Sequence, residues 1–192
     1  MGQAGHVAAE DQDRWAEAVR RQLAAGRVLP LGGPSDEGLW ITEAAVAAAL
    51  RRSASAAGLG VRLGDVRIVE TGHIEAGFAA PPGPPLRELA ERLRGVLWET
   101  AEGVGLKVSG VDLRVTELLD ARAPGVAAGD APIPGPPPAG LPVPGVAEVA
   151  TVLGGRYAGW KQIAVAAGHR AVDVARAMRA ATSVDVLVTE AG

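Results

Sequence analysis

VDLRVTEL at residues 111–118 returns as VDVLVTEA at residues 184–191. In the first octet Val111, Leu113 and Val115 alternate with Asp112, Arg114 and Thr116, the period-two pattern of a strand with one buried and one wet face. Reading backwards from each octet extends the likeness. KQIAVAA at 161–167 lies over IEAGFAA at 74–80 with an offset of 87, and AVDVARAMR at 171–179 lies over LRELAERLR at 86–94 with an offset of 85. The octets themselves are offset by 73. The order strand, strand, helix, strand therefore recurs. The shrinking offset predicts a second copy with a tighter strand-to-helix turn and a helix about 12 residues shorter. A module of this kind can bury its open face against its own copy.

The rest of the first copy is readable from the same octet outward. PPGPPLRELAERLRGVLWETAEGVG is the clearest helix: Pro85 suits a first helical position, and Leu86, Leu89, Leu93, Leu97 and Ala101 keep helical spacing. Before it, Val61 to Ala80 alternates as two strands, with a bulge or tight bend at Gly64 and Asp65 and a turn at ETGH. A helix begins at Thr42, whose hydroxyl caps the first turn, and runs to Ala57 before Gly58. Residues 10–27 place Trp15, Val19 and Leu23 on one stripe and predict a further helix, while VLPLGGPSDEG reads as an exposed, turn-rich connection. Residues 120–144 hold eight prolines and form an extended linker. Trp15, Trp40 and Trp98 read as core or helix-packing residues.

The expected fold class is thus α+β, two-layered, with repeated β-β-α-β units of which the second is abridged, and an extra N-terminal helix. The divisions are 1–28 for that helix, 29–119 for the full unit, 120–144 for the Pro-rich linker and 145–192 for the abridged unit.

Composition narrows the function classes. A chain of 192 residues with 48% hydrophobic residues can bury a core, and a net charge of −3 argues against a domain whose main work is coating phosphates. The absence of cysteine removes disulfides and thiolate chemistry together. No membrane span or secretory signal is readable, which leads to the expectation of a cytoplasmic protein.

The search for chemistry is short. GLGVRLG at 58–64 leaves a helix and enters a strand, the reverse of a phosphate-cradling loop, so it reads as a turn. His73 and Glu75 match half of a zinc deaminase signature whose other half needs cysteine. His169 precedes Asp173 by four residues on one helical face, but no nucleophile or second acid lies near it in sequence, which favours a capping or surface pair. Three dispersed histidines make no metal constellation. No catalytic, cofactor-binding or metal-binding residue is assigned, and the chain is expected not to be an enzyme. GGRYAGWKQ at 154–162 is the remaining motif: it places Arg156, Tyr157, Trp160 and Lys161 in a Gly-rich loop, where aromatics interleaved with cations can anchor a protein contact or stack bases. The alternative is that Trp160 covers the edge of the second core.

GLKVSGVDLRVTEL at 105–118, preceded by a strand and the helix PLRELAERLRGVLWETAEGV, resembles the alkaline shock protein family of bacterial envelope stress-response proteins, including actinobacterial relatives in which a complete unit is followed by a shortened one. The likeness spans about 42–118 and, abridged, about 145–190. It implies a non-enzymatic cytoplasmic α+β protein that works by association, with a related family member, with itself, or with a small membrane-anchored protein that holds it at the inner face of the membrane. It transfers no catalytic residue and no cofactor. The other function carried forward is a small-molecule or single-stranded nucleic-acid binding module using the loop at 154–162.

Overall fold

The computed structural model describes residues 26–32, 37–69, 72–120, 143–152 and 157–192. Of the helix expected over 10–27, residues 10–25 lie outside the described ones, as does most of the Pro-rich linker, while Gly26 and Arg27 are not helical and Val28 begins a strand. Among the described residues the chain forms an α+β fold with two mixed sheets. The strands are β1 (Val28–Pro30), β2 (Leu39–Thr42), β3 (Arg62–Ile68), β4 (His73–Ala80), β5 (Gly110–Leu118), β6 (Val146–Thr151), β7 (Lys161–Val165) and β8 (Val186–Ala191). The helices are α1 (Glu43–Ala56), α2 (Leu86–Val104) and α3 (Ala171–Thr182). The smaller sheet has the order β3-β4-β5 and the larger β1-β2-β8-β7-β6.

Both sheets contain the same β-β-α-β order with the same senses: β3 is antiparallel to β4 and β4 parallel to β5, as β6 is antiparallel to β7 and β7 parallel to β8. The two VTE triplets even carry the same irregularity. Phe78 faces Val115 and Ala79 faces Glu117, so Thr116 is the extra residue of a bulge; Ile163 faces Val188 and Ala164 faces Glu190, which leaves Thr189 in the same position. This register corrects the alignment read from sequence. Phe78 corresponds to Ile163, an offset of 85 and not 87, so strand and helix share one offset. The strand-to-helix turn is therefore no tighter in the second unit. Its helix has 12 residues against 19, a smaller difference than expected.

Thr42 caps α1 through its side chain, which accepts from the Ala45 N–H at 3.2 Å, and the first-turn Glu43 accepts the Ile68 N–H at 2.9 Å, tying α1 to β3. The bulge read at Gly64 and Asp65 is present between Leu63 and Val66. The stretch read as an exposed connection after residue 27 is different: Val28–Pro30 and Leu39–Thr42 pair as strands, and Leu31 is fully buried. Three or four residues are too few for periodicity to reveal a strand, and β2 is held by β8, whose residues lie far along the chain.

The halves meet through helices. α1 packs on α2, on β8 of the larger sheet and on β3 of the smaller, and its Val46 and Leu50 join Leu93 and Leu97 of α2 and Val186 and Val188 of β8 in one core. A second junction is built from backbone. Gly105 ends α2 in the left-handed conformation (φ 104°), and its carbonyl accepts the Gly32 N–H at 2.8 Å. Val172 of α3 fills the space against both glycines: a Cβ on Gly105 would stand 2.5 Å from Val172 Cβ, and one on Gly32 2.5 Å from Val172 Cγ2.

Two outcomes follow for denaturant unfolding. Leu97→Ala should cost about 2–5 kcal/mol by leaving a cavity under a fully buried side chain. Gly105→Ala should cost about 2–4 kcal/mol, from the left-handed backbone and the clash together. Combining it with Val172→Gly should cost less than the sum of the two single changes, because the Cβ that the new methyl would meet is then absent.

Candidate aromatic site on the outer face of the larger sheet

Strand pleating decides which side chains stand together. In β2, Leu39 and Ile41 are buried on the helix side, so Trp40 points to the opposite, outer face. In β7, Ile163 and Val165 face the helices, which puts Gln162 and the preceding Trp160 on the outer face. Leu187 of β8 lies in register between Trp40 and Gln162, on the same side.

The rings close over this strip. Trp40 and Trp160 stack with centroids 5.6 Å apart and planes at 22°, and Tyr157 leans on Trp160 at 4.7 Å and 53°. Leu187 is buried beneath, although it points away from the helices. The described ends of the β6–β7 connection are tied together: Val152 N–H donates to the Trp160 carbonyl at 3.0 Å and Gly159 N–H to the Val152 carbonyl at 2.8 Å. All three rings remain partly exposed. The Trp40 indole Nε1 is buried and finds no acceptor among the described residues.

Of the four residues singled out by sequence, the structure brings Tyr157 and Trp160 together. Arg156 lies outside the described residues. Lys161 alternates to the other side of its strand, and its Nζ donates to Thr151 Oγ1 at 2.9 Å. The interleaving of cation and aromatic that suggested base stacking is therefore not reproduced by Lys161. Trp40 is the member that sequence reading misplaced. It was read as core or helix packing, and it is instead the second plate of the stack, 120 residues away in the chain from Trp160. Only the parallel pairing of β2 with β8 could have shown this.

The histidines lead elsewhere. His73 Nε2 is 2.9 Å from Asp112 Oδ2 of the neighbouring strand β5. Asp173 pairs with Arg170 and Arg176, and no hydrogen bond joins it to His169 among the described residues. His169 lines an open cleft of about 380 Å³ with Arg52, Thr100 and Arg170. Arg52 donates there to the Ala191 carbonyl and Arg170 Nε to the Gly103 carbonyl at 3.5 Å, so both cations serve the junction of helices and sheet. Among the described residues no group of three or more His, Cys, Asp or Glu is arranged to hold a metal ion, and no helix is long and apolar enough to cross a membrane.

Comparison with protein-family profiles, with characterised proteins and with solved structures gives no significant match.

The two faces of the stack make different predictions. Trp160→Ala uncovers Leu187 and the Trp40 ring and should cost about 2–4 kcal/mol in urea or thermal unfolding, partly from the lost ring pair. Trp40→Phe keeps an aromatic ring and removes an unsatisfied donor, so it should be clearly the milder change by the same measurement.

Proposed function

We propose that this chain is a non-enzymatic interaction protein of the envelope stress-response type, acting in the cytoplasm by association, and that the Trp40, Tyr157 and Trp160 platform is the surface that holds a protein partner. Two units of one module, the first complete and the second abridged, supply the scaffold in this reading. The partner is a related family member or a small membrane-anchored protein, which would bring the chain to the inner face of the membrane.

One observation carries the proposal. Two stacked indoles and a phenol stand partly exposed on a sheet face, with a buried indole N–H that finds no acceptor among the described residues. Aromatic side chains concentrate binding energy at protein contacts, because they offer large rigid area at low entropic cost. The polar surround favours a protein over a polyanion. Gln162 and Thr189 are tied to each other at 3.3 Å beside the rings, and Glu148 and Glu190 are exposed on the same sheet. The resemblance of residues 105–118 to the alkaline shock family points the same way.

The exposed π faces also favour one second reading, stacking of a small aromatic ligand or of single-stranded bases. The two separate in one experiment. Cross-linking in lysate, followed by purification of the full chain, should recover a discrete protein partner, and Trp160→Ala together with Tyr157→Ala should reduce its recovery at least about tenfold. Equal recovery by the variants overturns the platform. A salt-dependent affinity for a single-stranded oligonucleotide, lost in Trp160→Ala, replaces the protein reading with the second one.

A further inference from the structure

Sheets end in strands whose outward N–H and C=O groups lack a neighbour, and proteins blunt such edges by recognisable devices. Among the described residues each of the four edges carries one, but they differ in how much regular strand is left. β1 is three residues long and ends in Pro30. β6 bulges at Ala147, between Val146 and Glu148. β3 bulges over Gly64 and Asp65, and the Arg51 guanidinium donates to the Gly64 carbonyl at 3.1 and 3.3 Å.

β5 keeps the most. It is the longest of the described strands, its bulge comes only at Thr116, its pairing with β4 is regular from Gly110 to Val115, and among the described residues it pairs with no other strand. One acceptor is taken, the Val111 carbonyl, by Arg94 Nε at 3.0 Å. The corresponding strand of the larger sheet shows what such an edge accepts. β8 has the same parallel neighbour and the same Thr bulge, and its far edge is filled by β2, with α1 packed below. Val188 and Ala191 are consequently 0% and 3% exposed, whereas their counterparts Val115 and Leu118 are 39% and 64% exposed.

From this geometry we infer that the edge of β5 is the contact surface for a second copy of this chain, paired antiparallel about a two-fold axis at Leu113. The sequence of the strand is self-complementary about that residue. The axis sets Asp112 opposite Arg114 of the second copy, and Arg114 opposite its Asp112, so that two pairs of opposite charge face each other on the outer side. On the helix side it sets Val115 against Val111 of the second copy, which covers the exposed valine. Arg114 has no ion-pair partner among the described residues, and Asp112 keeps most of its carboxylate in solvent beside His73. The contact joins two three-stranded sheets into one of six strands. It goes beyond the aromatic platform and uses none of its residues.

Sedimentation equilibrium of the full chain over a range of concentrations tests it. The wild type should dimerise. Arg114→Asp sets Asp against Asp and should raise the dissociation constant at least about tenfold, and Asp112→Arg should do the same. An equimolar mixture of the two variants restores both opposite-charge pairs in the heterodimer and should associate like the wild type. Circular dichroism checks folding; Arg114→Asp breaks no described contact within the chain and remains decisive if Asp112→Arg fails to fold. Trp160→Ala should leave the constant unchanged. A monomeric wild type, a dimer indifferent to Arg114→Asp, a mixture that dissociates like its components, or a dimer lost in Trp160→Ala overturns the edge assignment. Partner recovery through the aromatic rings is read separately, so failure of the edge and failure of the platform are distinguishable.

Discussion

Val172 sits where three segments of the chain meet, and the space it fills exists only because Gly32 and Gly105 have no side chains. The hydrogen bond from Gly32 N–H to the Gly105 carbonyl closes the loop before β2 onto the end of α2. Through that contact the segment leading into β2 is placed beside β8. β2 then supplies the fourth strand of the larger sheet, and α1, which follows immediately from Thr42, is set down between the two sheets. The junction is therefore more than local packing: both the shared core and the position of Trp40 depend on it.

The two outer faces of the molecule differ in chemistry for reasons visible in the strands. On the smaller sheet Arg67 faces Glu75, and Glu75 faces Asp112, giving a charged row across three strands. On the larger sheet the corresponding side carries Trp40, Leu187 and Trp160. A charged row is satisfied by water and by its own neighbours, whereas partly exposed rings gain by being covered. This contrast directs attention to the larger sheet for a heterologous partner. On the smaller sheet the unpaired feature is the backbone edge of β5, which among the described residues has only β4 beside it.

Much of the architecture was legible because it is local. Helical spacing located α2, and Thr42 as cap located the start of α1. Alternation found β3, β4 and β5, and the turn at Gly64 and Asp65 proved to be a bulge. The repeated octet marked the two strands that close the β-β-α-β orders, including a bulged threonine in each. What was misread is non-local. β1 and β2 are too short to show a period, and the alignment of KQIAVAA slid by two residues because alternation repeats every second position and so fits equally well at that displacement.

The candidate site divides along the same line. Tyr157 and Trp160 were evident from their spacing in one loop, and Lys161 was grouped with them because adjacency in sequence does not say which side of a strand a residue takes. Sequence by itself determined the described helices, the strands β3, β4 and β5, the Thr42 cap and the apolar faces of these elements, since these depend on residues within a few positions of one another. Tertiary structure decided that β2 lies beside β8, that Trp40 meets Trp160, and that β5 pairs with β4 alone among the described residues. Each of these is a pairing between distant strands, selected by the packing of α1 and the glycine junction and encoded in no single stretch of the chain.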